Sequence, residues 1–330
     1  MPDIAFVVFN RDIRKGKLKF ISKIGFLRFY IGTALFHRLS KKKLKRGIQI
    51  IEIEPGLKLL LIKYPFPLSL LSVLNKPYVE HYISQLYAGY GCLKCFVPVE
   101  ARKLSGFEAY APDNYSRAII FRALLVPILN EIYSGKGYRL DNLDTAFVYG
   151  GNVTELITMV SELEPFVRYI NVAAADKETV ESGLSDICSE SGISIFVSSD
   201  FKSILRNADL VINLGKGADI SKYRIKSKAL VINFSFEDEQ RLQGEFNLIT
   251  GVEFTFPPNQ YDVLGEDIQR SFSITELTEI LMAAKAGFLE GARYNNSTVD
   301  RVLKTYKNSC CSITGFHGRR GILRVEDFNV

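Results

Sequence analysis

The stretch from Leu143 to Leu156, LDTAFVYGGNVTEL, joins a short apolar run to two glycines and then to a segment with helical spacing. A strand that ends at glycine and turns into a helix directs free backbone N–H groups of the helix toward the turn, where they can bind an anion. Asn152 and Glu155 stand in the same stretch, and their side chains could occupy that position instead. The sequence therefore predicts a strand, a turn and a helix, and leaves open what the turn binds.

Short apolar runs alternate with helical segments from this point to residue 235. The segments between the first four runs are polar on one side and apolar on the other, which is typical of helices that cover a sheet. Nearly continuous apolar strands are expected where helices cover both faces of a parallel sheet. We therefore predict an α/β fold with a doubly wound, Rossmann-like parallel sheet. The runs are TAFVYG (145–150), YINVAA (169–174), ISIFVSS (193–199), DLVINL (209–214) and ALVINFS (229–235).

The regions on either side of this sheet follow other patterns. Strand-length apolar runs lie near the start of the chain, and Pro55-Gly56 stands where a hairpin turn would join two of them. CFVPVEA (95–101) reads as a short strand, and residues 115–133 have helical spacing despite Pro127. A long helix with a capped start at Ser273, and then a second helix, are predicted after the sheet. We predict three parts: a mixed α+β N-terminal domain (1–137), a Rossmann-like domain (138–265) and C-terminal helices that pack back on both (266–330).

Length and composition favour a globular protein of two domains. The chain has 330 residues, of which 47% are hydrophobic and 24% charged, a balance typical of folded domains. Its five cysteines are an odd number, and its first residues lack a basic head followed by an apolar signal core. We therefore expect a reduced, cytoplasmic protein. Lysines and prolines interrupt the most apolar stretch, residues 56–75, so we expect no transmembrane segment.

Positive charge is concentrated in residues 1–50, which contain thirteen Lys or Arg and two acids, whereas the net charge of the whole chain is +6. Three interpretations compete: an amphipathic helix on an anionic membrane surface, a contact with nucleic acid, and a solvated positive face. Nothing in this stretch matches a nucleic-acid motif. We expect no specific nucleic-acid partner and leave a peripheral anionic surface open.

The segment Ala146–Ser235 resembles the Rossmann domain of the group formed by shikimate dehydrogenase, methylene-tetrahydrofolate dehydrogenase and glutamyl-tRNA reductase. The likeness is clearest in NADLVINLGKGADISKYRIKSKALVINFS (207–235), where a strand runs into a glycine-containing loop and a second strand follows a lysine-rich link. The resemblance implies an NAD(P)-binding, oxidoreductase-like protein whose small-molecule ligand lies in the cleft between its domains. It leaves the substrate unknown and a homo-oligomer open.

The glycine motif of such families is altered in this chain. Aligning Gly150 with the first glycine of Gly-x-Gly-x-x-Gly puts Asn152 at the second and Glu155 at the third. The amide would project toward the space of a diphosphate, and the carboxylate would oppose a phosphate at the start of the helix. Two interpretations stay open: a dinucleotide held by Gly150, Gly151, Asn152 and Val153, or a structural turn capped by its own side chains.

Two further segments are candidates for cofactor contacts. Asp176 stands at the end of the second strand, where an acid would hold the ribose hydroxyls, and is equally placed to cap the next helix. Lys177 beside it would admit a 2′-phosphate, so NADP and NAD are both candidate cofactors. The loop with Gly215 and Gly217 could cover a cofactor or serve as a glycine-rich strand exit.

No residue can be assigned a catalytic role from motifs. Cys92 and Cys95 form a C-x-x-C pair without a suitable pattern of further ligands, so we predict buried thiols and no metal site. The segment TGFHGRRG (314–321), with Arg319 and Arg320, would suit either an anion clamp or a basic surface turn. The sequence thus favours an NAD(P)-binding oxidoreductase-like protein with altered or lost cofactor use, and a non-enzymatic Rossmann-fold binding or sensor protein is the alternative.

Overall fold

The computed structural model describes residues 2–10, 47–67, 76–103, 114–215, 220–235, 244–289, 293–319, 321–328 and 330. The chain packs as two compact units, and each unit is built from two separate stretches of sequence. Unit 1 comprises Met1–Ser116 and Phe256–Gly291, and unit 2 comprises Arg117–Thr255 and Ala292–Val330. The three-part division made from the sequence stays a prediction. Most of the basic N-terminal stretch (11–46) and the loop residue Gly217 lie outside the described residues.

The secondary-structure elements are numbered here in chain order. The strands are β1 (Ile4–Asn10), β2 (Ile48–Glu54), β3 (Leu57–Pro67), β4 (Lys94–Phe96), β5 (Thr145–Val148), β6 (Tyr169–Ala173), β7 (Ser194–Ser198), β8 (Leu210–Asn213), β9 (Leu230–Asn233), β10 (Asn247–Ile249), β11 (Gly251–Thr255), β12 (Ser312–Gly318) and β13 (Gly321–Leu323). The helices are α1 (Lys76–Gly89), α2 (Val99–Arg102), α3 (Asn114–Ala123), α4 (Leu125–Ser134), α5 (Val153–Leu163), α6 (Lys177–Ser191), α7 (Phe201–Asn207), α8 (Pro258–Asp262), α9 (Glu266–Ser271), α10 (Ile274–Lys285) and α11 (Asn296–Asn308).

Unit 1 is a mixed fold around a four-stranded sheet of order β2-β3-β1-β4. β2 and β3 pair antiparallel, and Gly56 in the turn between them has a φ of +91°, so the predicted hairpin is confirmed. β1 lies parallel to both β3 and β4. The ring of Phe6 on β1 packs edge-on against Phe272, with 4.9 Å between the ring centroids. The helical stretch that begins at α8 thus contributes to the core around β1.

Unit 2 contains the predicted doubly wound sheet, with six parallel strands in the order β10-β9-β8-β5-β6-β7. From β5 the chain moves outward through β6 and β7, returns to β8 on the other side of β5, and moves outward again through β9 and β10. All five predicted strand runs are strands, and β10 is a sixth that the sequence analysis missed. The strand order reverses between β5 and β8, and ligands of open α/β sheets bind at such a switch point, outside the carboxyl ends of the strands.

A three-stranded antiparallel sheet of order β11-β12-β13 completes unit 2 together with α11. Arg319, in the turn between β12 and β13, donates a hydrogen bond from Nη1 to the carbonyl of Gly244 at 2.9 Å. Its guanidinium carbon lies 4.2 Å from the ring centroid of Phe246. The arginine of the predicted anion clamp or surface turn therefore ties the β12–β13 hairpin to the segment before β10.

Two predicted elements differ from the structure. The helix predicted over 115–133 is interrupted at Leu124, between α3 and α4. Pro127 explains the break, because a proline lacks the N–H and its ring clashes with the carbonyl four residues earlier, whereas it is tolerated in the first turn of a new helix. The strand predicted as CFVPVEA ends at Phe96, and its last residues start α2 after Pro98.

The start of α10 is as predicted. Ser273 accepts a hydrogen bond from the N–H of Glu276, and the Glu276 carboxylate accepts one from the N–H of Ser273. This reciprocal capping box satisfies two N–H groups that the helix itself cannot bond. Across the described ranges, no helix has both the length and the apolar character that crossing a membrane requires.

Candidate functional site

The candidate site lies where β5 ends and α5 begins, at the switch point of the parallel sheet. Val148, the last residue of β5, pairs with Ala173 on β6 and with Asn213 on β8. The exits of β6 and β8 therefore flank the exit of β5. The segment from Tyr149 to Asn152, called the β5–α5 turn below, connects the strand to the helix.

Gly150 is required by a close approach of two backbones. A Cβ atom at this position would lie 2.3 Å from the Cα of Gly215 and 2.4 Å from the carbonyl oxygen of Leu214. Both atoms belong to the backbone just after β8, so they cannot move aside as a flexible side chain would. The structure thus brings together two of the predicted site residues, Gly150 and Gly215.

Gly151 is required by conformation instead. Its φ is +95°, and an added Cβ would have no heavy atom within 4 Å. A side chain at positive φ is strained, and its atoms would enter the open space next to the turn. The β5–α5 turn therefore presents bare backbone to that space at Gly151, one position before the second glycine of the usual motif.

Asn152 is the N-cap of α5. Its backbone is extended, with φ −114° and ψ 98°, and its Oδ1 accepts a hydrogen bond from the N–H of Glu155 at 3.3 Å. The cap uses one of the N–H groups that a phosphate at this helix end would bind. Within the described part of the chain, the N–H groups of Val153 and Thr154 have no acceptor. The first turn of α5 is thus capped in part and keeps two donors.

The carboxylate of Glu155 is held by an internal arginine. Arg122 on α3 donates from Nη1 to Glu155 Oε1 at 3.0 Å, and from Nη2 to the carbonyl of Phe234 at 3.3 Å. The two charged side chains are 11% and 18% exposed. From the sequence we expected a negative charge at the start of this helix that would oppose a phosphate. The structure shows instead that the charge is paired, because a guanidinium lies against it.

The same arginine faces a second, partly buried acid through a tyrosine. The guanidinium of Arg122 lies 6.0 Å from the ring centroid of Tyr294, whose hydroxyl donates to Glu162 Oε1 at 2.6 Å. Burial raises the pKa of Glu162 to about 8, and the hydrogen bond from Tyr294 opposes that shift only in part. Burial also raises the pKa of Tyr294 well above its ordinary value. Both ends of α5 are thus connected to buried ionisable groups.

Asp176 caps α6. Its carboxylate accepts hydrogen bonds from the N–H of Thr179 at 3.2 Å and from its hydroxyl at 2.6 Å. The hydroxyl bond and then the backbone bond lower the pKa of Asp176. Lys177 pairs with Glu181 one turn later, with 3.2 Å between Nζ and Oε1. The capping interpretation of Asp176 is confirmed, and its contact with a ribose stays a prediction.

Sequence analysis missed a buried amide cluster at the exits of β8 and β9. Asn213 Nδ2 donates to Asn233 Oδ1 at 2.8 Å, the Ser235 hydroxyl donates to the same oxygen at 2.8 Å, and Gly215 N–H donates to Asn213 Oδ1 at 3.2 Å. Asn233 Nδ2 is buried without a partner among the described residues. The repeated tetrapeptide LVIN, at 210–213 and 230–233, is the signal that could have revealed it, because it places the two asparagines side by side on adjacent strands.

The C-x-x-C thiols are buried, as predicted. Cys92 and Cys95 lie in unit 1 and are buried, and burial raises the pKa of Cys92 to about 11 and that of Cys95 further. His81 lies in α1 with its Nε2 2.9 Å from the amide nitrogen of Gln85. No group of three or more potential metal ligands occurs among the residues described.

Comparison with known proteins gives weak similarities at low identity. No protein-family model matches the chain, and no curated protein matches it in sequence. Among solved structures it is similar to L-tryptophan dehydrogenase from Nostoc punctiforme, with 12% identity over 94% of this chain and 89% of that one and a TM-score of 0.30. Quinate dehydrogenase from Corynebacterium glutamicum in complex with NAD has 10% identity, coverage of 93% and 100%, and a TM-score of 0.30.

A third similar structure is the ligand-free 5-ketofructose reductase of Gluconobacter sp. strain CHM43, with 10% identity over 92% of this chain and 99% of that one and a TM-score of 0.30. Identities and TM-scores this low assign no family, so the class of protein is defined by the chain's own strand order and connections. By that criterion unit 2 is a Rossmann-like α/β domain.

Proposed function

We propose that unit 2 binds a nicotinamide dinucleotide across the β5–α5 turn, and that the chain is an oxidoreductase-like protein of unknown substrate. The observation that carries the proposal is Gly151, a positive-φ glycine with open space around it, at the switch point of a Rossmann-ordered sheet. The unused N–H groups of Val153 and Thr154 would donate to the diphosphate. We also propose that the protein is cytoplasmic, and we leave open whether it forms a homo-oligomer.

Pairing of Glu155 with Arg122 supports this use of the turn. An unpaired carboxylate in the first turn of α5 would repel a diphosphate, because both groups are negatively charged and would compete for the positive end of the same helix. With the guanidinium 3.0 Å away, the pair has no net charge. A diphosphate would then meet the helix donors without an opposing charge at the third position of the motif.

The charges at the exit of β6 favour NAD over NADP. Asp176, Glu178 and Glu181 are acidic, and the ammonium of Lys177 is engaged by Glu181. A 2′-phosphate there would meet an excess of negative charge, whereas ribose hydroxyls can donate to a carboxylate. We therefore propose that NADH binds more tightly than NADPH.

A second candidate function is a non-enzymatic binding or sensor protein with the same scaffold. It is favoured by the side chains that already satisfy the helix starts, since Asn152 caps α5 and Asp176 caps α6. In this alternative the turn is structural and neither nicotinamide dinucleotide binds.

The experiment is a fluorescence titration of NADH and NADPH with the wild-type chain and two glycine variants. Gly151→Ala places a methyl group where the diphosphate would approach. Gly192→Ala is its matched control, because Gly192 also has a positive φ (+72°) and no atom within 4 Å of an added Cβ, but it ends α6. We expect Gly151→Ala to weaken NADH binding at least about tenfold, equivalent to about 1.4 kcal/mol, and Gly192→Ala to leave it unchanged.

Each other outcome has a definite meaning. If neither dinucleotide binds the wild-type chain at millimolar concentration, the proposal fails and the second candidate stands. If NADH binds but Gly151→Ala binds it equally well, the dinucleotide site lies elsewhere. If NADPH binds more tightly than NADH, the argument from the β6 exit is wrong.

A further inference from the structure

Unit 2 has a cavity at the amino edge of the parallel sheet. It has a volume of about 470 Å³ and lies between the end of α4, the segment 138–141 that precedes β5, and the segment 165–168 that precedes β6. We call it the amino-edge pocket. The β5–α5 turn follows the opposite end of β5, and strands rise about 3.3 Å per residue, so the two sites are separated by the length of the strand.

Two arginines give the amino-edge pocket a positive charge. Arg139 Nη2 and Arg168 Nη2 both lie near Asp141 Oδ2, at 3.1 and 3.5 Å. The arginine side chains remain 79% and 68% exposed. A guanidinium has five N–H donors, so one shared carboxylate oxygen leaves most of them available. Two guanidiniums against one carboxylate leave one positive charge in excess.

Two aromatic rings line the same pocket beside the arginines. Tyr138 and Phe166 are both exposed, although large apolar side chains are usually buried. Exposed rings next to guanidinium groups offer flat surfaces on which a planar ligand can stack while its anionic group is bound. Pro165 lies in the short 3₁₀ helix Glu164–Phe166, and its fixed φ restricts the backbone that carries Phe166.

We propose that the amino-edge pocket binds a small anion that carries an aromatic ring. Its anionic group would bind Arg139 and Arg168, and its ring would lie against Tyr138 or Phe166. The volume is within the range of about 300–1,000 Å³ that is usual for small-molecule sites. A nucleoside monophosphate and an aromatic carboxylate share this chemistry. The inference does not depend on a dinucleotide at the β5–α5 turn.

The test uses AMP, 4-hydroxybenzoate and inorganic phosphate as probes, with binding measured by calorimetry and ring contacts by saturation-transfer NMR. We expect AMP or 4-hydroxybenzoate to bind and phosphate alone to bind more weakly. Arg139→Gln and Arg168→Gln should each weaken binding about tenfold, because each removes charge-assisted hydrogen bonds. Phe166→Ala or Tyr138→Ala should also weaken it and reduce the saturation transferred to the probe's ring protons.

Matched controls separate this pocket from the rest of unit 2. Arg224→Gln removes another exposed arginine, and Phe196→Ala removes another exposed ring, and both residues lie outside the pocket. Both variants should bind the probes like the wild-type chain. In Gly151→Ala, the AMP binding that persists is assigned to the amino-edge pocket, and the AMP binding that is lost is assigned to the β5–α5 turn.

The outcomes are decisive for the ligand and for the site. Binding of AMP alone identifies the nucleoside monophosphate as the ligand class, and binding of 4-hydroxybenzoate alone identifies the aromatic carboxylate. The proposal is overturned if neither probe binds at millimolar concentration. It is also overturned if the Arg139 and Arg168 variants bind as tightly as the wild-type chain.

Discussion

Replacing Arg122 with methionine is expected to destabilise unit 2 by about 3 kcal/mol, since removing one member of a buried ion pair leaves an uncompensated charge and typically costs about 3–5 kcal/mol. The residual exposure of the pair, 11% and 18%, places the value at the low end of that range. Methionine keeps much of the apolar stem, so lost packing contributes little. Glu155→Gln should cost about 1–2 kcal/mol, because an amide oxygen still accepts from the guanidinium.

The double variant Arg122→Met/Glu155→Gln is the informative one. It buries no charge, so it should lose only about 2 kcal/mol, which corresponds to a coupling of about 2–3 kcal/mol between the two sites. The assay is hydrogen exchange of the β5 and β8 amides, which reports on unit 2 alone, beside urea unfolding of the whole chain. Glu181→Gln, which breaks the half-exposed pair with Lys177, is the control and should change nothing measurable.

Additive single effects, within about 0.5 kcal/mol, would refute the reasoning that the two charges neutralise each other. The same variants also test the role of the pair in binding. Arg122→Met should weaken NADH binding more than Glu155→Gln does, because it leaves a carboxylate beside the diphosphate. The double variant should recover most of that loss. If all three variants bind NADH equally, the pair has no part in the proposed site.

Further predictions concern packing, titration and thiol reactivity. Gly150→Ala should destabilise unit 2 by several times the roughly 1 kcal/mol expected for Gly192→Ala, since its methyl group would meet backbone atoms at 2.3–2.4 Å. Equal urea midpoints for the two variants would contradict the close approach. The pKa of Glu162 is raised to about 8 in the folded chain, so the folded state holds this proton more tightly than the unfolded state. The free energy of unfolding should therefore fall as pH rises from about 4.5 to 8, by at most about 1.4 kcal/mol per pH unit. Glu162→Gln should therefore gain stability relative to wild type over that window, and a pH-independent difference would exclude the shift. Iodoacetamide should modify Cys310, which is exposed, long before Cys95, whose pKa is raised by burial; equal rates by mass spectrometry would show that Cys95 is accessible.

The parallel sheet of unit 2 could be predicted because its signal is local. Each buried strand is a nearly continuous apolar run, as in TAFV and LVIN, and a helix with a polar N-cap follows β5, β6 and β7. The capped start of α10 is local in the same sense, since Ser273 and Glu276 are three residues apart. The short strand β10 was missed because three residues carry too little pattern to stand out.

The contacts that decide the candidate site are not local. Arg122 and Glu155 are 33 positions apart, and Arg122 reaches the carbonyl of Phe234 across 112 positions. Nothing in the stretch around Glu155 reveals that a guanidinium neutralises it, so the turn alone predicts the carboxylate but not its partner. Gly150 was identified as a motif position, but its contact with the exit of β8 depends on a pairing between strands that only the folded sheet defines.

The way the two units share the chain has a consequence for synthesis on the ribosome. The sheet of unit 1 is translated early, but the helices from Pro258 to Lys285 that belong with it emerge only after the whole six-stranded sheet of unit 2. Unit 2 in turn lacks β12, the partner of β11, until residue 318 has been added. Neither unit can therefore be completed while the other is still untranslated, and a chain released at residue 255 would leave two unfinished cores exposed to chaperones and proteases.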